Sequence, residues 1–377
     1  MQGFVFLFIL AILLSISSNT AHAAQQGLIP DLVPAEKRGR FSGVKAMLEL
    51  PIPLLLVSFT IARLITQGYM MAGIIVAIIV LTICMIITMF VREKPLEGRE
   101  DKLDWSPFIR LLFMTIIFTV IILVMGEFMQ QIGNLIRNVE IPITLVVIMG
   151  LSGLVAMIIA VALGVWLSIR ISLGEDARKH QSYSWWVINR LAFLVGTTNL
   201  STFALFYLQA RLGYVEEQAA QPASILMLIV GVFILIFALP SGWLADRFGH
   251  KRLVTASGLL AFVGTVIAIL VPNLTFIYIG GTLIGASTGI FFTANWALGT
   301  ALVPKAEAGR YLGISNLAGA GAGAVGAYIG GPIADYFTNN VPDSPGLGYI
   351  ILFSIYGMIF LFSIFAVTRI KEKNSIA

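Results

Sequence analysis

The sequence predicts an all-α integral membrane protein of about eleven transmembrane helices, and three observations lead there. Hydrophobic residues make up 58% of the 377 and charged residues 11%, against roughly 45–50% and about 25% in soluble globular domains. Runs such as GIIVAIIVLTICMIITMFV and LVVIMGLSGLVAMIIAVALGVWL reach the ~20 apolar residues that a helix needs to cross a ~30 Å hydrocarbon core. Lys and Arg density alternates from one inter-run segment to the next, as it does across a bilayer. A β-barrel would alternate apolar and polar residues in short segments, and the runs show no such alternation.

The expected spans lie at about 3–22, 45–66, 70–91, 108–129, 142–169, 186–209, 222–245, 252–271, 274–299, 311–335 and 348–368. The first, MQGFVFLFILAILLSISSNTAHAA, ends in an A-x-A-like AHA that a secretory signal peptide also carries. It lacks a positive leading region, the first basic residue being Lys37, and cleavage would place EKRGR outside and invert every later loop. A genuine span is the reading that fits the charges. The second span follows EKRGRFSG and the third ends at VREK; the third holds the single cysteine, Cys84, expected to pack as a small hydrophobe. One cysteine provides no disulfide or metal framework. Later spans are separated by GWLADRFGHKRLV, by VPN, by LVPKAEAGR and by NNVPDSPG.

With the segment after the first span in the cytoplasm, nineteen Lys and Arg fall on cytoplasmic segments and three, Arg63, Arg137 and Arg211, on the opposite side. Arg110 and Arg190 are expected at cytoplasmic helix ends. The C-terminus is then cytoplasmic and the protein multi-pass, in a cell membrane. The net charge of +5 follows from this bias, so a nucleic-acid partner is unnecessary.

Residues 32–43, LVPAEKRGRFSG, have an echo in residues 302–313, LVPKAEAGRYLG. Leu32/Leu302, Val33/Val303, Pro34/Pro304, Gly39/Gly309, Arg40/Arg310 and Gly43/Gly313 coincide at an offset of 270. Eight spans lie between them, an even number, so both belong to the same face. That is the pattern of two parallel halves related by an axis along the membrane normal. Residues 186–377 form one complete six-helix half. Two inserted helices, at about 108–129 and 142–169, account for the surplus offset. The partner of the complete half would begin roughly 85 residues before Met1, so three helices of the first bundle are expected upstream and the chain is expected to be N-terminally shortened. The expected units are residues 1–91, the last three helices of the first bundle; 92–185, cytoplasmic loops plus the inserted pair; and 186–377, the second bundle.

GWLADRFGHKRLV, residues 242–254, resembles the G-x-L-A-D-R-x-G-R-K-x-x-L loop of the major facilitator superfamily; His250 and Val254 are the departures. The R-G-R and A-G-R loops, WVINRLAFLVGTTNLSTFALFYLQ and FFTANWALGTALVPKAEAGRYLGISNLAGAG look similar to the glycoside-pentoside-hexuronide and sucrose-type sugar symporters within it. The resemblance covers about four-fifths of the chain, the inserted pair standing outside. It implies a major facilitator fold with an incomplete first bundle, alternating access, a small-molecule substrate, a proton or sodium ion as coupling ion, and a monomer in the bilayer.

Physical chemistry assigns roles beside the resemblance. Gly242 and Gly249 permit a tight turn and close helix approach. Asp246, at a helix end, can accept from the exposed N-terminal amides of another helix; by symmetry that helix is the one starting just after Gly43. Arg247, Lys251 and Arg252 hold a cytoplasmic gate, contact anionic lipid or simply set topology, and Arg40 and Arg310 are matching latch positions or surface anchors. For the substrate, Asn199, Tyr207 and Gln209 on one span, with Thr197 and Thr198 beside them, Asn295 and Trp296 on another, and Asn316 on a third supply the amides, hydroxyls and ring face that suit a hydroxylated ligand; the same groups also bridge helices. Glu49 follows Lys45 at i, i+4, the spacing of a local pair. Gly319/Gly323 and Gly326/Gly330 permit close crossing or sliding. The three histidines fall in loops or at helix ends, and no proton relay is read from them.

Nothing in the sequence supplies a nucleophile, metal cluster, phosphate loop or dinucleotide fingerprint, and no cofactor is expected. The expected activity is secondary transport of a small polar, sugar-like solute. Alternatives are a facilitator of drugs, nucleosides or lipids, and a shortened non-transporting membrane protein.

Overall fold

The computed structural model describes residues 37–49, 67–90, 105–137, 142–304, 307–341 and 346–371 continuously, with isolated positions elsewhere. Among the described residues the regular elements are helices: α1 Arg38–Glu49, α2 Met70–Met89, α3 Ser106–Leu135, α4 Pro142–Leu173, α5 Asp176–Lys179, α6 Gln181–Thr202, α7 Ala204–Leu212, α8 Glu216–Phe248, α9 His250–Leu270, α10 Leu274–Leu302, α11 Ala308–Asn340 and α12 Leu347–Thr368. Eight of them are long and apolar enough to cross a membrane, nine if α6 and α7 count as one broken span. The expected span at 3–22, and that at 45–66 beyond the end of α1, lie largely outside the described residues.

Sequence and structure differ most at helix ends. Helix α8 begins six residues before the expected 222 and ends three after 245, because polar turns continue a helix past its apolar core. The expected single helix over 186–209 is broken at Phe203 by a 55° bend. Three hydroxyls lie just before that break: Thr197, Ser201 and Thr202 each donate to the carbonyl four residues back, a habit that bends helices.

Helices α6 to α12 form one packed bundle. Helix α9 lies along α10 and α12, α8 lies along α10, and α6 lies between α11 and α12. At the α9–α10 crossing a Cβ on Gly264 would stand 2.9 Å from the Gly280 carbonyl, so glycine is what allows this backbone approach. Helices α3 and α4 make a hairpin that docks on α11. Phe118 of α3 fills the space above Gly321, Gly126 meets the Tyr328 carbonyl, and the Tyr336 hydroxyl donates to the Ile136 carbonyl at 3.1 Å. These pairs rise together in number, so α3 and α11 run parallel.

Cys84 departs from expectation. It is exposed rather than packed, because α2 buries little of itself against the described chain, with Gly73 its one buried residue. Helix α1 packs on α8 and α10, and this junction organises the candidate site.

Candidate functional site at the junction of α1 with the second bundle

Two groups of residues meet here. The first is the end of α8. Asp246 Oδ1 accepts from the Gly39 amide at 3.1 Å, in the first turn of α1, where backbone N–H groups lack intrahelical acceptors and favour a negative charge. The helix starts at Arg38, earlier than the expected start near 45, so the carboxylate meets Gly39 rather than a residue after Gly43. Arg40 and Arg310, expected in loops, lie on first helical turns for the same reason. Glycine is required on both sides of this contact: a Cβ on Gly242 would stand 2.7 Å from the Gly39 carbonyl, and one on Gly39 would collide with Asp246. Gly249 then turns the chain into α9 at φ 94°, a conformation that favours glycine.

The cations of the motif separate. The Arg247 guanidinium lies over Trp243 at 5.3 Å and Phe248 at 5.5 Å. Lys251 Nζ donates to the Ile370 carbonyl at 2.8 Å and that of Thr368 at 3.4 Å, closing the C-terminal end of α12 within its own bundle. Arg252 and Arg40 are exposed. Arg310 donates to Glu307 at 2.9 Å and to the Ser172 carbonyl at 3.0 Å, tying α11 to the end of α4. A Cβ on Gly309, the repeat partner of Gly39, would meet nothing within 4 Å.

The second group lies where α1 faces α6 and α10. Lys45 and Glu49 pair at 2.6 Å, and Lys45 Nζ sits 3.8 Å above the Trp296 ring. The Arg190 guanidinium lies 5.0 Å from the same ring and donates to Asn295 Oδ1 at 3.1 Å. Asn295 Nδ2 donates to Asn189 Oδ1 at 2.8 Å, Asn189 Nδ2 to the Ser363 carbonyl at 2.9 Å, and Trp186 Nε1 to the Asn295 carbonyl at 2.9 Å. Ser42, Lys45, Ala46, Glu49, Arg190, Phe292 and Trp296 enclose a small gap.

Arg190 is a correction. Expected at a cytoplasmic helix end, it stands midway along α6 and is 8% exposed, because α6 starts at Gln181 rather than near 186. An arginine inside an apolar run was the signal for it, since such a charge needs partners or water. Lys45, Glu49 and Asn189 were not read as site residues either.

Of the expected substrate residues, the structure brings Asn295 and Trp296 into this cluster. Asn199 Nδ2 donates to the Ala322 carbonyl at 3.0 Å, with Gly326 packed against it, bridging α6 to α11. The buried Tyr207 hydroxyl donates to the Ala268 carbonyl at 2.9 Å, bridging α7 to α9. Gln209 is half-buried on α7 beyond the bend, and Asn316 half-buried on α11. Gly326 and Gly330 face Asn199 and Tyr356, while a Cβ on Gly319 would meet nothing within 4 Å.

Residues 191–376, just under half of the chain, match the family model described as Major Facilitator Superfamily. The match runs from within α6 through α12 and so contains the Asp246 motif, Asn295 and Trp296. Lys45, Glu49, Asn189 and Arg190 stand outside it. The chain is 35% identical over 88 residues to the minor myo-inositol transporter IolF of Bacillus subtilis (strain 168), covering 23% of this chain and 20% of that protein. It is 29% identical over 147 residues to the uncharacterized MFS-type transporter MT1926 of Mycobacterium tuberculosis (strain CDC 1551 / Oshkosh), covering 37% and 21%. The chain thus spans about a fifth of the length of these relatives. No solved structure matches it. Among the described residues the regular elements are helices, eight of them long and apolar enough to cross a membrane, and the segment 191–376 is similar to the Major Facilitator Superfamily.

Proposed function

We propose that the protein is a Major Facilitator secondary transporter of a small polar solute, working by alternating access. Residues 186–377 are its complete bundle, α1 and α2 belong to the opposing one, and α3–α4 form an insert. The observation that carries the reading is the Asp246–Gly39 hydrogen bond with the Gly39/Gly242 backbone contact. It joins the end of α8 to the start of α1 by a charge-assisted bond across a side-chain-free interface, a junction that can close tightly and still part without unpacking a core. The sugar-like substrate class rests on similarity to sugar symporters and on the myo-inositol transporter named among the relatives. A proton or sodium ion is the candidate coupling ion, in a cell membrane with the C-terminus cytoplasmic.

Uptake of labelled myo-inositol and hexoses into proteoliposomes tests this. Asp246→Asn leaves a weaker acceptor for the Gly39 amide, and the expected outcome is uptake lowered about tenfold, the equivalent of ~1.4 kcal/mol, with membrane insertion unchanged. Equal uptake at equal protein level would remove Asp246 from the gate.

A further inference from the structure

We propose that the groove between the end of α4, the short helix α5 and the start of α6 binds one anionic phospholipid, its phosphodiester held by Arg170 and Arg178 and an acyl chain laid along α4. The proposal goes beyond the transport reading, which needs no such site. The groove has a volume of about 490 Å³ and a mostly apolar wall, well within the size range of small-molecule sites. Its polar groups gather at one end: Arg170 in the last turn of α4, Arg178 in α5, and Gln181 and Ser184 in the first turn of α6. From Arg170 the lining runs back along α4 to Leu163, about two turns away, a rise of ~10 Å. On α6 it runs from Ser184 to Ile188. A charged end leading into an apolar trough has the profile of a lipid; a soluble anion would leave the trough unfilled.

Charge names the headgroup. Among the described residues no acid pairs with either arginine: Asp176 is held by Lys179 at 3.0 Å and Glu307 by Arg310 at 2.9 Å. That leaves the exposed Glu175 as the acid beside them, so two guanidiniums and one carboxylate keep a positive charge that a phosphodiester monoanion balances, in the bidentate geometry arginine favours. The Arg170 guanidinium already lies 5.2 Å from the Trp166 ring. Trp166 on α4 and Trp185 on α6 both line the groove, and tryptophan settles at headgroup level. Neighbouring contacts place that level at one end of the bundle. Ser182 Oγ donates to the Lys371 carbonyl at 3.2 Å and accepts from the Lys371 amide at 3.0 Å, beside the carbonyls that Lys251 closes. In the topology read from the charges this end faces the cytoplasmic leaflet, whose anionic lipids attract basic pockets between helices. A lipid bridging Arg170 to Gln181 and Ser184 would staple the α3–α4 hairpin to the second bundle.

The test is native mass spectrometry of the full chain, purified in a mild detergent and incubated with dioleoyl phosphatidylglycerol, dioleoyl phosphatidylcholine or inorganic phosphate. One phosphatidylglycerol retained in preference to phosphatidylcholine, whose chains are the same, is expected. Arg170→Gln with Arg178→Gln should weaken that retention about thirtyfold, at about fivefold per cation. The same loss of charge at the exposed Arg137 and Arg252 should leave it unchanged, and Arg170→Lys with Arg178→Lys should keep most of it. Leu163→Trp fills the trough while leaving both arginines in place, and at 43% exposure it leaves the core undisturbed; it too should lose the lipid. Equal retention of the two lipids by wild type, or retention of phosphatidylglycerol by the double glutamine variant as strong as in wild type, would overturn the site. Retention untouched by Leu163→Trp, or displacement of the lipid by inorganic phosphate, would overturn the phospholipid as its occupant.

Discussion

At the scale of single residues, the contact between α1 and α8 depends on the absence of two side chains. A methyl added at Gly242 would stand 2.7 Å from the Gly39 carbonyl, and backbone cannot swing aside as a side-chain tip can. Gly242→Ala is therefore expected to destabilise the folded protein by about 1–3 kcal/mol, the usual cost of overpacking, read as a lower thermal midpoint in detergent. Gly309→Ala, at the repeat partner of Gly39, should leave the midpoint unchanged or slightly higher, because the added carbon meets nothing within 4 Å and alanine favours helix. Matching losses at the two glycines, or none at either, would show that the close approach does not set the outcome. Gly242 and Asp246 were readable in advance because their chemistry sits in one contiguous loop. Arg190 was misplaced: its role depends on where α6 begins, and hydropathy fixes helix ends poorly when the first turns are polar, as in QSYS.

Whole elements were more legible than their limits. Long apolar runs and alternating charge density located α2 to α4 and α8 to α12. Each was visible because a bilayer demands length and apolarity from every helix separately. The 55° break between α6 and α7 was not foreseen, since it comes from hydroxyls bonding back onto their own helix rather than from a proline or glycine. Nor did sequence show that α3–α4 would dock on α11, because that contact depends on which small residues of two distant helices face each other. Orientation has its own test at this scale. With Cys84 replaced by serine, a cysteine placed just after Asn340 should react with a membrane-impermeant maleimide added outside intact cells, and one between Lys94 and Lys102 should not. Reaction of both from one side would contradict the alternating topology.

For the molecule as a whole, the repeat at an offset of 270 and the junction of α1 with α8 and α10 belong together. If the halves rock against one another, the contacts that join α1 to the second bundle are those that must break and re-form. Two such polar contacts are described, the Gly39 amide on Asp246 and Lys45 over Trp296, the Lys45 side chain being paired with Glu49 within α1. Each is polar or charged, and under the proposed alternating access such contacts would favour two discrete arrangements over a continuous slide. Pulsed electron paramagnetic resonance between spin labels on the exposed positions Arg40 and Arg252 measures this most directly. The predicted result is two label-to-label distances whose populations shift toward the longer on Asp246→Asn and again on adding a transported solute. A single distance, unmoved by either change, would contradict a gate at this junction.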